Sequence, residues 1–115
     1  MANTEVIKPI SSQRVCSIAG TAIRVASSNS NSQRFTDTAI VQAHPDNVGN
    51  IYLGGSDVSS SNGLVLSPGD AMNLGQFLDK KRGAVLDLWN WWVVSSANND
   101  QIRVVRAAQV AESEI

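Results

Sequence analysis

The fold is decided by residues 51–70, IYLGGSDVSSSNGLVLSPGD, which read as two short strands separated and followed by turns. Ile51 and Leu53 share one parity and Tyr52 has the other, which is the period-2 pattern of a half-buried strand. The two glycines that follow permit backbone angles, or a close approach, that a side chain would forbid. The stretch therefore predicts a strand, a glycine break, a polar loop and a second strand.

Two turn signals enclose the second strand. Asn62-Gly63 is the strongest short turn signal in the chain, because both residues tolerate positive φ. In the next turn Pro68 pre-sets φ, and Gly69 suits the left-handed corner of a type II turn. We therefore expect a structural turn motif formed by the following residues: Gly54, Gly55, Ser56, Asp57, Asn62, Gly63, Pro68 and Gly69.

The composition indicates one small domain whose surface is suited to being covered by other protein in an assembly. The chain has 115 residues, of which 43% are hydrophobic and only 17% charged, against a usual charged quarter. Its net charge of −1 does not create the field that binding to nucleic acid or to a membrane surface requires. A near-neutral surface also resists self-association poorly. We expect neither nucleic acid nor membrane as a partner.

Cys16 is the only cysteine, so an intramolecular disulfide and a cysteine-rich zinc site are excluded. Free cysteine is most often buried, and we expect Cys16 to be a small hydrophobic residue of a strand. The N-terminus lacks a signal-peptide pattern, and no apolar run approaches the roughly 20 residues of a membrane span. We expect synthesis in a reducing cytoplasm.

The strand pattern divides the chain into an N-terminal arm at 1–12, a β domain at 13–106 and a C-terminal tail at 107–115. Strands are predicted at 14–18, 21–25 and 36–43, with a polar mobile loop at 27–33. The strand that begins at Ile51 follows at hairpin distance. Residues 76–82 predict one helical turn that ends in the basic triplet Lys80, Lys81 and Arg82.

The most apolar segment is 86–95, LDLWNWWVVS, and its aromatic and β-branched content favours a strand. Trp89 and Trp91 share one parity and Trp92 has the other, so both faces are apolar. One face must join the core, while the other packs under a second layer or is offered to a partner. The candidate interface therefore consists of Trp89, Trp91, Trp92, Lys80, Lys81 and Arg82. Residues 96–100 predict a hairpin turn, with a return strand at 101–106.

About eight short strands separated by turns, without a convincing helix, are typical of an antiparallel β-sandwich or a jelly-roll-like barrel. A parallel α/β fold is not expected, because no crossover helix is available. The predicted fold class is all-β.

Groups suited to catalysis are scarce. His44 is the only histidine and is expected in a solvent-exposed turn. Asp57, Asn62 and Asp70 supply oxygen atoms of the kind calcium prefers, but their spacing does not match an EF-hand, and capping of their own turns is the favoured reading. No pair of carboxylates is marked out for acid–base work. We expect no enzyme activity, no cofactor and no metal.

The central motif resembles one that recurs in small structural proteins of tailed bacteriophages. The likeness is carried by Tyr52-Leu53-Gly54-Gly55-Ser56-Asp57-Val58, then by Asn62-Gly63-Leu64 with Leu66 and Gly69. Weaker agreement follows in Val93-Val94-Ser95 and Ile102-Arg103-Val104, so that it spans about 36–106. The triple tryptophan and residues 76–82 are departures from the pattern.

The resemblance implies a small β-sandwich subunit of the virion, which either decorates or cements the capsid shell or belongs to the tail or a fibre. The first hypothesis is a decoration protein on the outer capsid surface, with the major capsid protein as partner. A homo-oligomer is expected, and a trimer is favoured because capsid threefold positions invite one. The alternative is a tail or fibre module that binds host glycan by stacking tryptophan rings on sugars.

Overall fold

The computed structural model describes residues 5–30, 34–36, 38–77 and 85–111 of the chain. Ten strands lie in these residues, and two short 3-10 turns, Leu74–Phe77 and Leu88–Asn90, interrupt them. The strands are β1 (Glu5–Cys16), β2 (Ile23–Arg24), β3 (Phe35–Thr36), β4 (Ala39–Ala43), β5 (Ile51–Gly54), β6 (Leu64–Leu66), β7 (Ala71–Asn73), β8 (Leu86–Asp87), β9 (Trp92–Ser95) and β10 (Asp100–Ala111).

The strands form two four-stranded antiparallel sheets that face each other. Sheet A has the order β1-β10-β4-β7, and sheet B has the order β2-β9-β5-β6. The short strands β3 and β8 form a separate two-stranded pair. The predicted fold class, an all-β antiparallel sandwich, is confirmed.

The core lies between the two sheets and follows the alternation of each strand. In β4, Ala39, Val41 and Ala43 are buried and Ile40 is exposed, which is the pattern of a sheet with one face inward. Sheet B contributes Ile51 and Leu53 from β5. The largest wholly buried apolar side chains are Ile51, Leu53, Leu74, Leu88, Ile102, Val25, Val41, Val93 and Val104.

The hairpin predicted at the centre of the chain is present. Ile51 of β5 lies opposite Leu66 of β6, and Tyr52 is half-buried between two buried neighbours. In the turn that follows, the N–H of Asp70 donates to the carbonyl of Ser67 at 2.8 Å, and Gly69 has φ +90°. The left-handed glycine predicted for this turn is therefore confirmed.

Two other predicted hairpins are wrong, because the chain crosses between the sheets at those places. β4 belongs to sheet A and β5 to sheet B, and the same change separates β9 from β10. Two hydrogen bonds join the first crossing to the start of β10: the Asn47 side chain donates to the Gln101 carbonyl and accepts from the Gln101 N–H, both at 2.8 Å. Asn99, at φ 64°, turns the second corner.

The two ends of the described chain pair with each other. β1 and β10 are matched over twelve consecutive residues, whereas β10 contacts β4 only from Ile102 to Arg106. Glu5–Pro9 and Ala107–Ala111 thus continue past β4 as a two-stranded terminal ribbon about 15 Å long. These residues were predicted as arm and tail because a single sequence does not reveal a partner about a hundred residues away.

The segment 86–95 is not one strand, contrary to its composition. Asp87 accepts a hydrogen bond from the N–H of Trp89 at 3.1 Å, caps the 3-10 turn Leu88–Asn90, and so separates β8 from β9. The helical turn predicted at 76–82 begins earlier, as Leu74–Phe77, and its remainder lies outside the described residues. Part of the loop predicted at 27–33 lies outside them as well.

Gly69 provides a test of the turn after β6. Gly69→Ala should lower the free energy of unfolding by about 1–2 kcal/mol, because alanine is strained at φ +90° although the space beside it is open. Gly69→Asn should cost clearly less, since asparagine tolerates left-handed backbone. Urea denaturation of the three proteins measures the difference. Equal stability of the alanine and asparagine variants would contradict this account of the turn.

Candidate functional site

The motif residues 54–63 form a compact corner that joins β5 to β6. The Asn62 side chain accepts from the N–H of Ser59 at 2.7 Å and donates to the carbonyl of Asp57 at 3.1 Å. The N–H of Val58 donates to the carbonyl of Gly55 at 3.0 Å. The Asn62 side chain thus holds the backbone of its own turn, as the capping interpretation expected.

The corner needs its glycines for close approach rather than for left-handed backbone. Positive φ occurs among the described residues only at Gly20, Gly69 and Asn99, so the tolerance for positive φ that marked Asn62-Gly63 is not used. A Cβ on Gly63 would lie 2.8 Å from both Tyr52 Cβ and Val58 Cγ2. A Cβ on Gly54 would lie 3.0 Å from Val58 Cγ2.

The same approach buries Val58 and leaves an open cleft beside it on the outer side of sheet B. The cleft is lined by Ala19, Gly20, Tyr52, Val58, Ser59, Ser60, Val94, Ser95 and Ser96. Its walls carry hydroxyl groups but no charged side chain, so they provide neither a general base nor a metal ligand of carboxylate type.

Of the three side chains considered as calcium ligands, Asn62 and Asp70 are hydrogen-bonded within turns. Asp70 accepts from the N–H of Ser67 at 3.0 Å, in a different turn from the one that Asn62 caps. Within the described ranges, no group of three or more His, Cys, Asp or Glu side chains could share a metal ion. No helix in the same ranges is long and apolar enough to cross a membrane.

The three tryptophans of the candidate interface are half-buried and make contacts within the chain. The guanidinium of Arg24 lies 4.1 Å from the ring centre of Trp89 and 4.4 Å from that of Trp92, within cation–π range. The ring of Trp91 is 5.4 Å from that of Phe77. Lys80, Lys81 and Arg82 lie outside the described residues, so the structure does not bring them to the tryptophans.

A bidentate ion pair supports this cluster. Both carboxylate oxygens of Asp87 accept from the guanidinium of Arg34, and Asp87 also caps Trp89. The hydrogen bond from Arg34 lowers the pKa of Asp87, and the N–H of Trp89 adds to that effect, although partial burial opposes it. The pair links β8 to the start of β3.

Cys16 is buried and His44 is half-buried, so neither side chain is fully exposed to solvent. Cys16 is wholly buried, as predicted, and burial raises the pKa of its thiol, which therefore stays protonated and unreactive at neutral pH. His44 was expected in solvent but is half-buried. Its Nδ1 accepts from the N–H of Asp46 at 3.0 Å, and its Nε2 lies 2.9 Å from Arg103 Nη2.

Asp100 is a structural residue that the sequence did not single out. It is 3% exposed, and its two carboxylate oxygens accept from the N–H groups of Val48 and Gly49 at 3.0 and 2.8 Å. A buried carboxylate needs such partners. The only signal was its place at the end of a polar turn, which many exposed aspartates share.

A shallow groove on the outer face of sheet A is an apolar surface that the sequence did not predict. It lies at the base of the terminal ribbon and is lined by Pro9, Thr38, Ile40, Val105, Arg106 and Ala107. Ile40 is 45% exposed and Val105 43% exposed, and the two lie opposite each other on neighbouring strands. We call this surface the apolar groove.

The comparisons with known proteins identify no family for this chain. No family model matches the sequence, and no curated protein matches it. A solved structure from the work "Bacillus endospore appendages form a novel family of disulfide-linked pili" is similar over 96% of this chain and 91% of that chain, with 13% identity and a TM-score of 0.48. A similarity at this level carries no conclusion about function.

The corner predicts a contrast between two glycines of the motif. Gly63→Ala should lower the free energy of unfolding by about 1–3 kcal/mol, because its Cβ would overlap Tyr52 and Val58. Gly55→Ala should be close to neutral, since its Cβ would meet only Asp57 Oδ1, at 3.5 Å. Urea denaturation checks both. A Gly63→Ala protein as stable as Gly55→Ala would show that the corner is looser than described.

The ion pair predicts a specific dependence of stability on pH. The pKa of Asp87 is lowered in the folded state, so its contribution is present above the ordinary value of 3.8 and is lost as pH falls through the folded value. Asp87→Asn, which can still cap Trp89, should be less stable than wild type at pH 7. The gap should close toward about pH 2.

Chemical denaturation at a series of pH values measures this gap. Arg34→Gln serves as the matched variant, because it removes the other half of the pair and should show the same closing gap. A gap between wild type and Asp87→Asn that is constant across the acid range would contradict the ion pair.

Proposed function

We propose that this protein is a structural subunit of a bacteriophage virion that binds the outer surface of the capsid and stabilises the shell. The observation that carries a binding role is the apolar groove, which adjoins the terminal ribbon on one face of sheet A. The choice of a capsid as partner rests on the resemblance of the corner motif to small structural proteins of tailed phages.

The groove and the ribbon suit contact with a protein surface. Ile40 and Val105 are each almost half exposed and lie side by side on neighbouring strands. The ribbon has two strands and no third strand among the described residues, and a two-stranded ribbon is only marginally stable alone in water. Docking against a shell would cover the apolar side chains and would stabilise the ribbon together with its partner.

The mechanism of the proposed role is burial without chemical turnover. A subunit that binds only the assembled shell stabilises it by mass action. Many identical weak contacts around a symmetric shell then add through multivalency. The major capsid protein is the proposed partner, and the proposed location is the capsid surface, after synthesis in the host cytoplasm.

The oligomeric state belongs to the same proposal. A homo-oligomer, with a trimer at capsid threefold positions, is the arrangement that shell symmetry favours. Since this argument comes from the shell and not from a contact within the described residues, the number three stays a prediction.

The glycan-binding alternative is supported less well by the site. A sugar would stack on an open tryptophan face, whereas Arg24 lies over both Trp89 and Trp92, and Trp91 packs near Phe77. These contacts favour a structural role for the cluster, and we place the capsid role first.

The test compares shells with and without this subunit. Shells that carry it should rupture at a higher temperature or under stronger osmotic shock, as measured by release of packaged DNA. The protein should also co-sediment with capsids. Shells that bind the subunit yet show the same robustness as bare ones would contradict a stabilising role, and failure to bind would contradict the capsid as partner.

A matched pair of variants tests the surface itself. Ile40→Glu places a charge in the apolar groove and should reduce binding to shells at least about tenfold, because the carboxylate would lose water on docking. Leu64→Glu is the control, since Leu64 is 44% exposed, much like Ile40 at 45%, but lies on sheet B. Quantitative co-sedimentation measures both. Equal loss in the two variants would show that the groove is not the binding surface.

A further inference from the structure

We infer that the free edge of β1 is a self-association site, at which Ser11–Val15 of two copies pair as antiparallel strands about a two-fold axis. The inference goes beyond the proposed role at a capsid and does not depend on it. It concerns the free protein in solution, for which it gives a dimer in place of the trimer favoured at capsid threefold positions. It rests on the direction of the backbone groups of β1, on the composition of this edge and on the position of Pro9.

The direction of the backbone groups follows from the bonds of β10. The carbonyl of Gln101 accepts from His44 N at 3.0 Å, and the N–H of Ala107 donates to the carbonyl of Thr38 at 3.3 Å, both on the side of β4. The backbone N–H and C=O groups of odd-numbered residues in β10 therefore point toward β4, and those of even-numbered residues point toward β1. Because opposite residues in antiparallel strands share either two hydrogen bonds or none, even-numbered residues of β1 bond to β10.

The odd-numbered residues of β1 consequently turn their N–H and C=O groups away from the sheet. Cys16 agrees with this assignment, since its carbonyl accepts from Asn99 N on the inner side. The backbone groups of Ser11, Gln13 and Val15 form no bond with any other part of the described chain. They form a row of donors and acceptors of the kind that accepts another strand.

Between Ile10 and Cys16 this edge has few of the features that usually prevent strand addition. Such features are short strands, bulges, prolines and charged side chains. β1 is twelve residues long and pairs with β10 in unbroken register. Between Ile10 and Cys16 the only charged residue is Arg14, and its Nε donates to the carbonyl of Arg24 at 3.2 Å, away from the free edge.

Pro9 limits where a second strand can pair. It lies opposite Ala107, at a position where β10 does not use a β1 N–H, so its missing N–H costs the ribbon nothing. On the free edge, however, Pro9 cannot donate. In the favoured register the backbone N–H groups of Ser11, Gln13 and Val15 all donate, and Pro9 lies outside the paired segment. This register places Gln13 opposite Gln13 of the second copy.

That register is self-complementary. Ser11 meets Val15 of the other copy, and three hydrogen-bonded pairs with two bonds each give about six backbone bonds. Arg14 falls opposite Ser12, so no two like charges meet. Val15, 42% exposed in the single chain, becomes partly covered. A second copy is the occupant that this geometry fits, because one edge supplies every donor and acceptor, and the net charge of −1 opposes association little.

The test replaces one outward N–H. Gln13→Pro removes the donor at the centre of the register while leaving every β1–β10 bond in place, as Pro9 does in the native chain. Gln13→Ala is the matched control, which loses the same side chain but keeps the N–H. Sedimentation velocity over a range of concentrations should show a dimer for wild type and for Gln13→Ala. It should show dimerisation weaker by roughly a hundredfold or more for Gln13→Pro, since the change occurs twice in each dimer.

A second measurement uses the unmodified protein. Hydrogen exchange at the amides of Gln13 and Val15 should slow as concentration rises, while that of Val104, inside sheet A, should not change. A protein that stays monomeric at millimolar concentration, a dimer that Gln13→Pro leaves intact, or exchange independent of concentration would each overturn the inference. A closed trimer with the same amides protected would also overturn it, because it would indicate pairing of β1 with β7 of the next copy.

Discussion

The pairing of β1 with β10 is the contact on which the rest of the structure depends. It joins residues near the start of the chain to residues near its end, and it places β10 between β1 and β4. Ile102 and Val104, which are wholly or almost wholly buried, can fill the core only because both edges of β10 are hydrogen-bonded. This long loop must close before most of the core side chains can be buried. Such long-range closure is associated with slow folding of β proteins.

The polar corners fix how the two sheets meet. The carboxylate of Asp100 and the amide of Asn47 satisfy backbone groups of the first crossing and of the start of β10, at the end of the sandwich where the chain changes sheets. Among the described residues, no buried side-chain nitrogen or oxygen lacks a hydrogen-bond partner. Leaving one such group unpaired would cost more than an average hydrogen bond contributes, so these turns determine the relative position of the sheets.

Local patterns predicted the features that depend only on neighbouring residues. The period-2 alternation of Ile51, Tyr52 and Leu53, the hairpin to β6 and the left-handed Gly69 all follow from short-range sterics. The all-β class followed from the same patterns summed over the chain. Of the candidate site, the burial of Cys16 and the capping role of Asn62 could be predicted on the same basis.

Partner choice could not be predicted, because it depends on residues far apart in the sequence. Nothing local indicates that the strand after Ser95 pairs with β1 and β4 rather than folding back on β9. The break at Leu88–Asn90 was hidden because aromatic residues favour strands, while a single carboxylate, Asp87, overrides that preference by capping the turn. The apolar groove was hidden for a related reason: Ile40 and Val105 become neighbours only through the pairing of β4 with β10.

Sheet A thus offers two surfaces that point in perpendicular directions. The apolar groove lies on its outer face, where side chains project, whereas the free edge of β1 lies in the plane of the sheet, where backbone groups project. Growth of the sheet through its edge leaves the face open, since side chains and backbone bonds occupy orthogonal axes. The dimer contact that we infer at the edge and the docking that we propose at the face would therefore not compete for the same atoms.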